Sequence, residues 1–162
     1  MSILIRKAIA TDVSQILELY EELSISNLPI DVDEAIAVLE KSEQNDITYF
    51  VAVDDGRVVA TCFIAIIPAM KMQCSPIGFI ENVVTAAEYR RRGIGREIMQ
   101  TTIDYAKERG CFKVTLSSGA ERGAAHDFYK SLGFDGESKK NFELRFKCNC
   151  NHNLQKQEKI DE

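Results

Sequence analysis

Residues 90–96 read Arg-Arg-Arg-Gly-Ile-Gly-Arg, between a strand-like run (Phe79 to Thr85) and a helix-like run (Ile94 to Arg109). This junction is the most informative feature of the chain. Glycine permits the tight turn and lets a ligand approach the backbone closely. The helix start presents N–H groups without intrahelical partners and the positive end of the helix dipole. Together these make a receptor for phosphate oxygens. The bland alternative is a simple turn into a helix, with the arginines as a solvated edge.

The rest of the chain is acidic. Its formal net charge is −5 over 162 residues, which argues against a nucleic-acid partner. A local arginine cluster in such a chain suits a small anion better than a long polyanion. The longest apolar run, Val58 to Ile67, is broken by Thr61 and too short to span a membrane. The first residues lack the apolar stretch of a signal peptide, so a cytoplasmic location is expected. The five cysteines (62, 74, 111, 148 and 150) fit that compartment as free thiols. Cys62 and Cys111 belong to apolar surroundings and are expected to pack as small hydrophobes. Cys148, Cys150 and His152 have a spacing unlike that of zinc sites, and no metal is expected.

Hydrophobic periodicity predicts the element order β-α-α-β-β-β-α-β-α-β. Ile3 to Ala8 reads as a strand. Asp12 with Gln15 reads as a capping box opening a first helix, and Asp31 with Glu34 opens a second. Tyr49 to Val53 and Val58 to Ile67 form a hairpin around Asp54-Asp55-Gly56-Arg57. Residues 68–76 are a loop, Gly78 to Thr85 a strand, and the helix after Gly95 buries Ile94, Ile98, Thr102 and Ala106. Lys113 to Ser118 is a strand, Ala125 to Leu132 a short helix and Phe142 to Lys147 a last strand. An extra strand around 134–139 would complete a hairpin with it. The expected fold is α/β (α+β): a mixed central sheet of six to seven strands with helices on both faces. Residues 1–147 are read as one domain, and 148–162 as a polar, disordered tail.

Gly93-Ile94-Gly95 alone resembles parts of several phosphate loops. The dinucleotide fingerprint wants a third glycine where Ile98 stands, and the P-loop wants Gly-Lys-Ser/Thr, which is absent. The wider pattern is more specific. Arg90-x-x-Gly93-x-Gly95 follows the strand Ile80-Glu-Asn-Val-Val-Thr85, and His126-Asp-Phe-Tyr-Lys-Ser-Leu-Gly-Phe134 comes about thirty residues later. These two motifs resemble those of the GNAT superfamily of N-acetyltransferases, at Arg90, Gly93, Gly95, Phe128, Tyr129, Gly133 and Phe134. The resemblance covers roughly residues 3–147.

The resemblance implies acetyl-coenzyme A as co-substrate and a primary amine as acceptor, with direct attack through a tetrahedral intermediate. The pyrophosphate would lie on the backbone of Arg91, Arg92, Gly93, Ile94, Gly95 and Arg96, with Arg90 opening the motif. Arg91, Arg92 and Arg122 would reach cofactor phosphate. Val83, Val84 and Thr85 would line the pantetheine arm in the manner of an added strand, and the Val83 N–H would stabilise the oxyanion. Glu81 is the candidate base and acceptor contact. Alternation would put Glu81 and Val83 on one face of the strand and Asn82 on the other. Tyr129 is the candidate acid for the departing thiolate. Its ordinary pKa near 10, above about 8.5 for a thiol, leaves it protonated and able to donate late. His126 is a candidate acceptor contact. Ala87 departs from the proline usual in the family at that point. The acceptor is read as a small-molecule amine; a protein lysine or N-terminus, or a regulatory module without turnover, are the alternatives. Relatives commonly pair edge or C-terminal strands, so a homodimer is compatible with the resemblance.

Overall fold

The computed structural model describes residues 3–23 and 30–146. Five strands, β1 (Leu4–Lys7), β2 (Ile47–Asp54), β3 (Arg57–Ile67), β4 (Ile77–Thr85) and β5 (Lys113–Leu116), form one sheet in that spatial order. The first three pairings are antiparallel, and β4 with β5 is parallel. The helices are α1 (Val13–Leu23), α2 (Val32–Ser42), the single turn α3 (Lys71–Cys74), α4 (Ile94–Glu108) and α5 (Gly123–Ser131). The element order follows the periodicity as far as α5, except that residues 68–76, expected as a loop, hold α3, an irregular turn with Met72 and Gln73 in the left-handed region.

The sheet has five strands among the described residues, not six to seven. Residues 141–146 pair with no strand, and Phe142, Leu144 and Phe146 are 90%, 78% and 83% exposed. Alternation alone does not make a strand. The backbone also needs a partner edge for its N–H and C=O groups, and none of the described residues supplies one here. The predicted strand end, Lys147, and the tail beyond it lie outside the described residues. Nor do residues 134–139 form a strand. There the Asp135 carboxylate accepts the N–H groups of Glu137 (2.9 Å) and Ser138 (3.2 Å), a local turn that competes with extended pairing.

The start of α1 differs from the expected capping box. A 3-10 turn at Ala10–Asp12 precedes the helix. The Asp12 carboxylate turns back to accept the Ile9 N–H at 2.8 Å and two bonds from the Arg6 guanidinium at 2.6 and 2.9 Å. These bonds outweigh burial and hold its pKa below the ordinary carboxylate value. Gln15 accepts the Val58 N–H at 2.9 Å instead of capping the helix, and so ties α1 to the hairpin. Asp31 caps α2 as expected, taking the Glu34 N–H at 3.0 Å.

Alternation along β2 divides the core between the two faces of the sheet. Phe50 and Ala52 pack with Ile94, Ile98, Met99 and Ala106 of α4, while Val51 and Val53 pack with Ile16 and Leu19 of α1. Helices therefore cover both faces, as the periodicity predicts. Cys62 and Thr102 are fully buried where β3 meets α4, with Sγ and Oγ1 3.2 Å apart. The left-handed Gly110 (φ 74°) and Gly133 (φ 93°) follow α4 and α5, where a glycine stop suits them.

Gly78 lies tightly between its neighbours on β3 and β5, beneath Ala106 of α4. A Cβ there would stand 2.9 Å from Ile64 Cδ1 and 3.0 Å from Val114 Cγ1. Gly78→Ala is expected to destabilise the fold by about 1–3 kcal/mol through overpacking. Urea unfolding, read as a lower midpoint at unchanged slope, checks this.

Candidate active site

The parallel pairing of β4 and β5 runs from Ile77–Lys113 to Ile80–Leu116 and stops. Beyond it the strands part, and a cavity of about 180 Å³ opens between them. Its walls include Glu81, Asn82 and Val83 of β4, Ser118 and Arg122 of the loop after β5, and Tyr129 of α5.

A β-bulge in β4 shapes this opening. On the β3 side the register passes from Phe63–Glu81 to Thr61–Val84, so Asn82 and Val83 share the space opposite Cys62. Asn82 takes a left-handed conformation, φ 53°, which asparagine tolerates better than most residues. A bulge leaves backbone groups outside the ladder and reverses the side-chain alternation beyond it. The reversal is visible in the packing. Ile80 and Val83 contact the α4-side core, whereas Val84 is buried on the α1 side. Glu81, next to Ile80, thus projects to the α1 side. The expectation that Glu81 and Val83 share a face is corrected: the inserted residue places them on opposite faces. Tyr129 packs with the α4-side core, so Glu81 and Tyr129 enter the cavity from opposite sides of the sheet.

Both groups have shifted acidities. Burial raises the Glu81 pKa above the ordinary carboxylate value, an N–H contact from Asn82 opposes the shift, and the nearby Glu143 carboxylate adds to it. Burial also raises the Tyr129 pKa, against an opposing pull from the Arg122 guanidinium. Tyr129 therefore keeps its proton at neutral pH. Its ring is held by Phe128 and Phe134, with centroids 5.3 and 6.1 Å away.

The arginine–glycine turn lies at the far end of β4. Gly93 (φ 86°) is the N-cap of α4 and contributes no side-chain cap. The Arg96 N–H already bonds Gly93 O at 2.9 Å. The open donors of the helix start therefore fall within Gly93, Ile94 and Gly95. Gly95 packs closely on its neighbours. A Cβ there would lie 3.3 Å from Thr85 Oγ1 and 3.6 Å from the Phe128 ring. Arg91 is left-handed (φ 61°), at a cost of about 1–2 kcal/mol for a residue with a Cβ. The turn has the glycine conformation, helix start and open backbone needed for phosphate oxygens.

Three of the four arginine side chains have other partners. Arg90 donates from Nε to Thr85 O (2.9 Å) and pairs with Glu22 (2.7 Å). Arg92 stacks over the Tyr89 ring at 5.0 Å, and Arg96 reaches Ser131 Oγ at 2.7 Å, joining α4 to α5. Val84 is buried by its side chain and offers a ligand only backbone. His126 is not among the cavity walls. Its Nε2 lies 2.8 Å from Gly119 O and donates to it, fastening the loop that carries Ser118 and Arg122. Among the described residues no cluster of His, Cys, Asp and Glu could hold a metal, and none of their helices is long and apolar enough to cross a membrane. Cys148, Cys150 and His152 lie outside the described residues.

Sequence reasoning missed Glu22, Asn82 and Ser118. The Ser118 hydroxyl lines the cavity, buried and without a hydrogen-bond partner among the described residues. Asn82 carries a usable signal, since Asn tolerates the left-handed conformation that an irregular strand can need. Glu22 carries none, because its partners are more than sixty residues away.

The raised Glu81 pKa has a stability consequence. The folded state holds this proton more tightly than the unfolded chain. Stability therefore falls as pH rises from the ordinary carboxylate value through the raised one, and the loss is complete above it. Glu81→Gln should raise Tm at neutral pH and leave it unchanged at a pH below both values. Thermal melts at the two pH values test this; equal shifts at both would contradict it.

The geometry above agrees with comparisons to known proteins. A model of the Acetyltransferase (GNAT) family matches residues 13–134. A glucosamine 6-phosphate N-acetyltransferase of Trypanosoma brucei brucei is 32% identical over 49% of this chain and 52% of its own length. An uncharacterized N-acetyltransferase of Bacillus subtilis is 28% identical over 75% of this chain and 85% of its own. The chain spans about half the length of the curated glucosamine 6-phosphate relatives that it matches. Among solved structures, a protein of Agrobacterium tumefaciens designated an acetyltransferase superposes with a TM-score of 0.82 at 37% identity, over 88% of this chain and 99% of that one. The parted strands, the glycine turn at the head of α4 and these matches agree: the chain belongs to the GNAT family of acetyltransferases.

Proposed function

We propose that the protein transfers the acetyl group of acetyl-coenzyme A to a primary amine of a small molecule. The observation that carries this reading is the gap between β4 and β5, with a phosphate-accepting turn at one end and an opposed carboxylate and phenol at the other. From Glu81 to Thr85 the strand spans about 13 Å at ~3.3 Å per residue. An extended arm with a phosphate at one end and a thioester at the other fits that span.

In this reading the open donors at Gly93, Ile94 and Gly95 hold the pyrophosphate, with Arg91 beside them. The backbone of Val83 to Thr85 pairs with the arm as an added strand would. The bulge leaves backbone donors near Val83 for the thioester oxygen, where negative charge develops as the amine attacks. Glu81 takes a proton from the ammonium, directly or through water. Tyr129 gives its proton to the departing sulfur, and burial keeps that proton in place until charge forms there. The acceptor enters from the Glu81 side, near Leu23, which also lines the cavity. The matches to glucosamine 6-phosphate and aminoglycoside N-acetyltransferases support an amino sugar or similar amine.

A panel of amino sugars, diamines, amino acids and lysine peptides, assayed by thiol release from acetyl-coenzyme A, tests the reading. Turnover is expected with small amines. Turnover with peptides alone would transfer the reading to protein substrates, and coenzyme A binding without any product would make the protein a regulatory module.

Two variants test the roles. Tyr129→Phe is expected to lower kcat by about 10²-fold with little change in the acetyl-coenzyme A KM. Unchanged kcat removes the acid role. For the wild type, kcat/KM should rise with pH through the raised Glu81 pKa, because only the carboxylate form accepts a proton. Glu81→Gln should abolish that limb and lower kcat by about 10²-fold or more.

A further inference from the structure

We propose that Glu22, near the end of α1, is a positioning residue for the phosphate-accepting turn and acts through Arg90 and the Ala87 N–H. The proposal rests on the coenzyme A reading of that turn. Glu22 Oε2 accepts from the Arg90 guanidinium at 2.7 Å and from the Ala87 N–H at 3.1 Å, with Oε1 3.4 Å from the same N–H. Arg90 in turn donates from Nε to Thr85 O at 2.9 Å. One carboxylate thus grips both ends of the segment that joins β4 to the turn, and Arg90 closes the bracket back onto the last residue of β4.

The turn needs such a bracket. Arg91, immediately after Arg90, sits in the left-handed region at φ 61°, and Gly93 follows at φ 86°. A side chain with a Cβ stays there only when its surroundings over-determine the conformation. Downstream the turn is anchored by the buried Ile94 and by the packing of Gly95 on Thr85 and Phe128. Upstream, the side-chain anchors of Ala87 and Arg90 run through Glu22 and Thr85. The same bonds engage the Arg90 guanidinium, so the first arginine of the motif serves the turn's shape.

The proposal opposes a plain electrostatic expectation. Glu22 is a carboxylate close to an anion site. If charge alone mattered, removing it would tighten binding of a polyphosphate ligand. If it positions the turn, removing it loosens the aligned N–H donors and weakens binding. The two readings differ in sign.

The experiment measures coenzyme A binding by titration calorimetry for wild type, Glu22→Gln and Glu22→Ala. Pantetheine, the arm without the phosphates, is measured in parallel by NMR chemical-shift titration. Glu22→Gln keeps the shape and one acceptor but loses the charge-assisted bond, and should weaken coenzyme A about threefold; Glu22→Ala should weaken it about tenfold. Pantetheine affinity should not change. In a double-mutant cycle with Arg90→Gln, the losses should be strongly less than additive. Unchanged or tighter coenzyme A binding by Glu22→Gln overturns the proposal. So does equal weakening of coenzyme A and pantetheine, or additivity with Arg90→Gln. Should Glu22→Ala not fold, Glu22→Gln decides alone. A wild-type protein that binds no coenzyme A overturns the functional reading itself, an outcome separate from any change between variants.

Discussion

One extra residue in β4 organises this molecule. With Asn82 and Val83 both opposite Cys62, the strand cannot continue its alternation or its pairing unchanged. The parallel ladder with β5 ends at Ile80, one residue before Glu81, and the cavity begins there. The inserted residue also reverses the faces. Val83 stays with the core under α4, Glu81 projects to the α1 side, and Tyr129 arrives from the opposite side on α5. Where the ladder ends, the backbone of β4 beyond Ile80 is left as an edge facing the cavity.

The second organising feature is the division of labour within the arginine–glycine turn. Its four arginines draw attention by charge, yet Arg90 and Arg96 are tied to Thr85, Glu22 and Ser131, and Arg92 lies on Tyr89. Besides the exposed Arg91, the turn presents backbone at a helix start, made accessible by Gly93 and lying close against Thr85 and Phe128 because Gly95 has no Cβ. Backbone dipoles fixed by packing need no reorganisation to meet an anion, which makes them suited to positioning as well as to affinity.

Local patterns carried much of the fold. The apolar spacing of α4 located its buried stripe from Ile94 to Ala106, and the Asp54–Arg57 turn located the hairpin. Where the reading failed, a competing local interaction or a missing partner explains it. Asp12 serves Ile9 and Arg6 in place of a capping box, because its carboxylate reaches those donors from the preceding turn. Phe142, Leu144 and Phe146 have a strand's alternation but no edge to join among the described residues. The His126 bond to Gly119 O was not legible either, because helical spacing places His126 near Tyr129 and says nothing of the loop.

By itself the sequence determined the strands and the longer helices through β5 and α5, though not the short turn α3, and it determined where the chain turns at Gly93 and which motifs sit at which junctions. Those properties depend on neighbours within a few residues: periodicity, glycine conformations and caps. Only the tertiary structure decided that Glu81 and Val83 point to opposite faces, that the Arg90 side chain is spoken for, and that Glu22 belongs to the turn. Each depends on contacts between residues far apart in the chain, from Thr61 and Phe63 against β4 to Glu22 against Ala87 and Arg90. No local pattern encodes such a contact, because it exists only once the sheet has brought the two segments together.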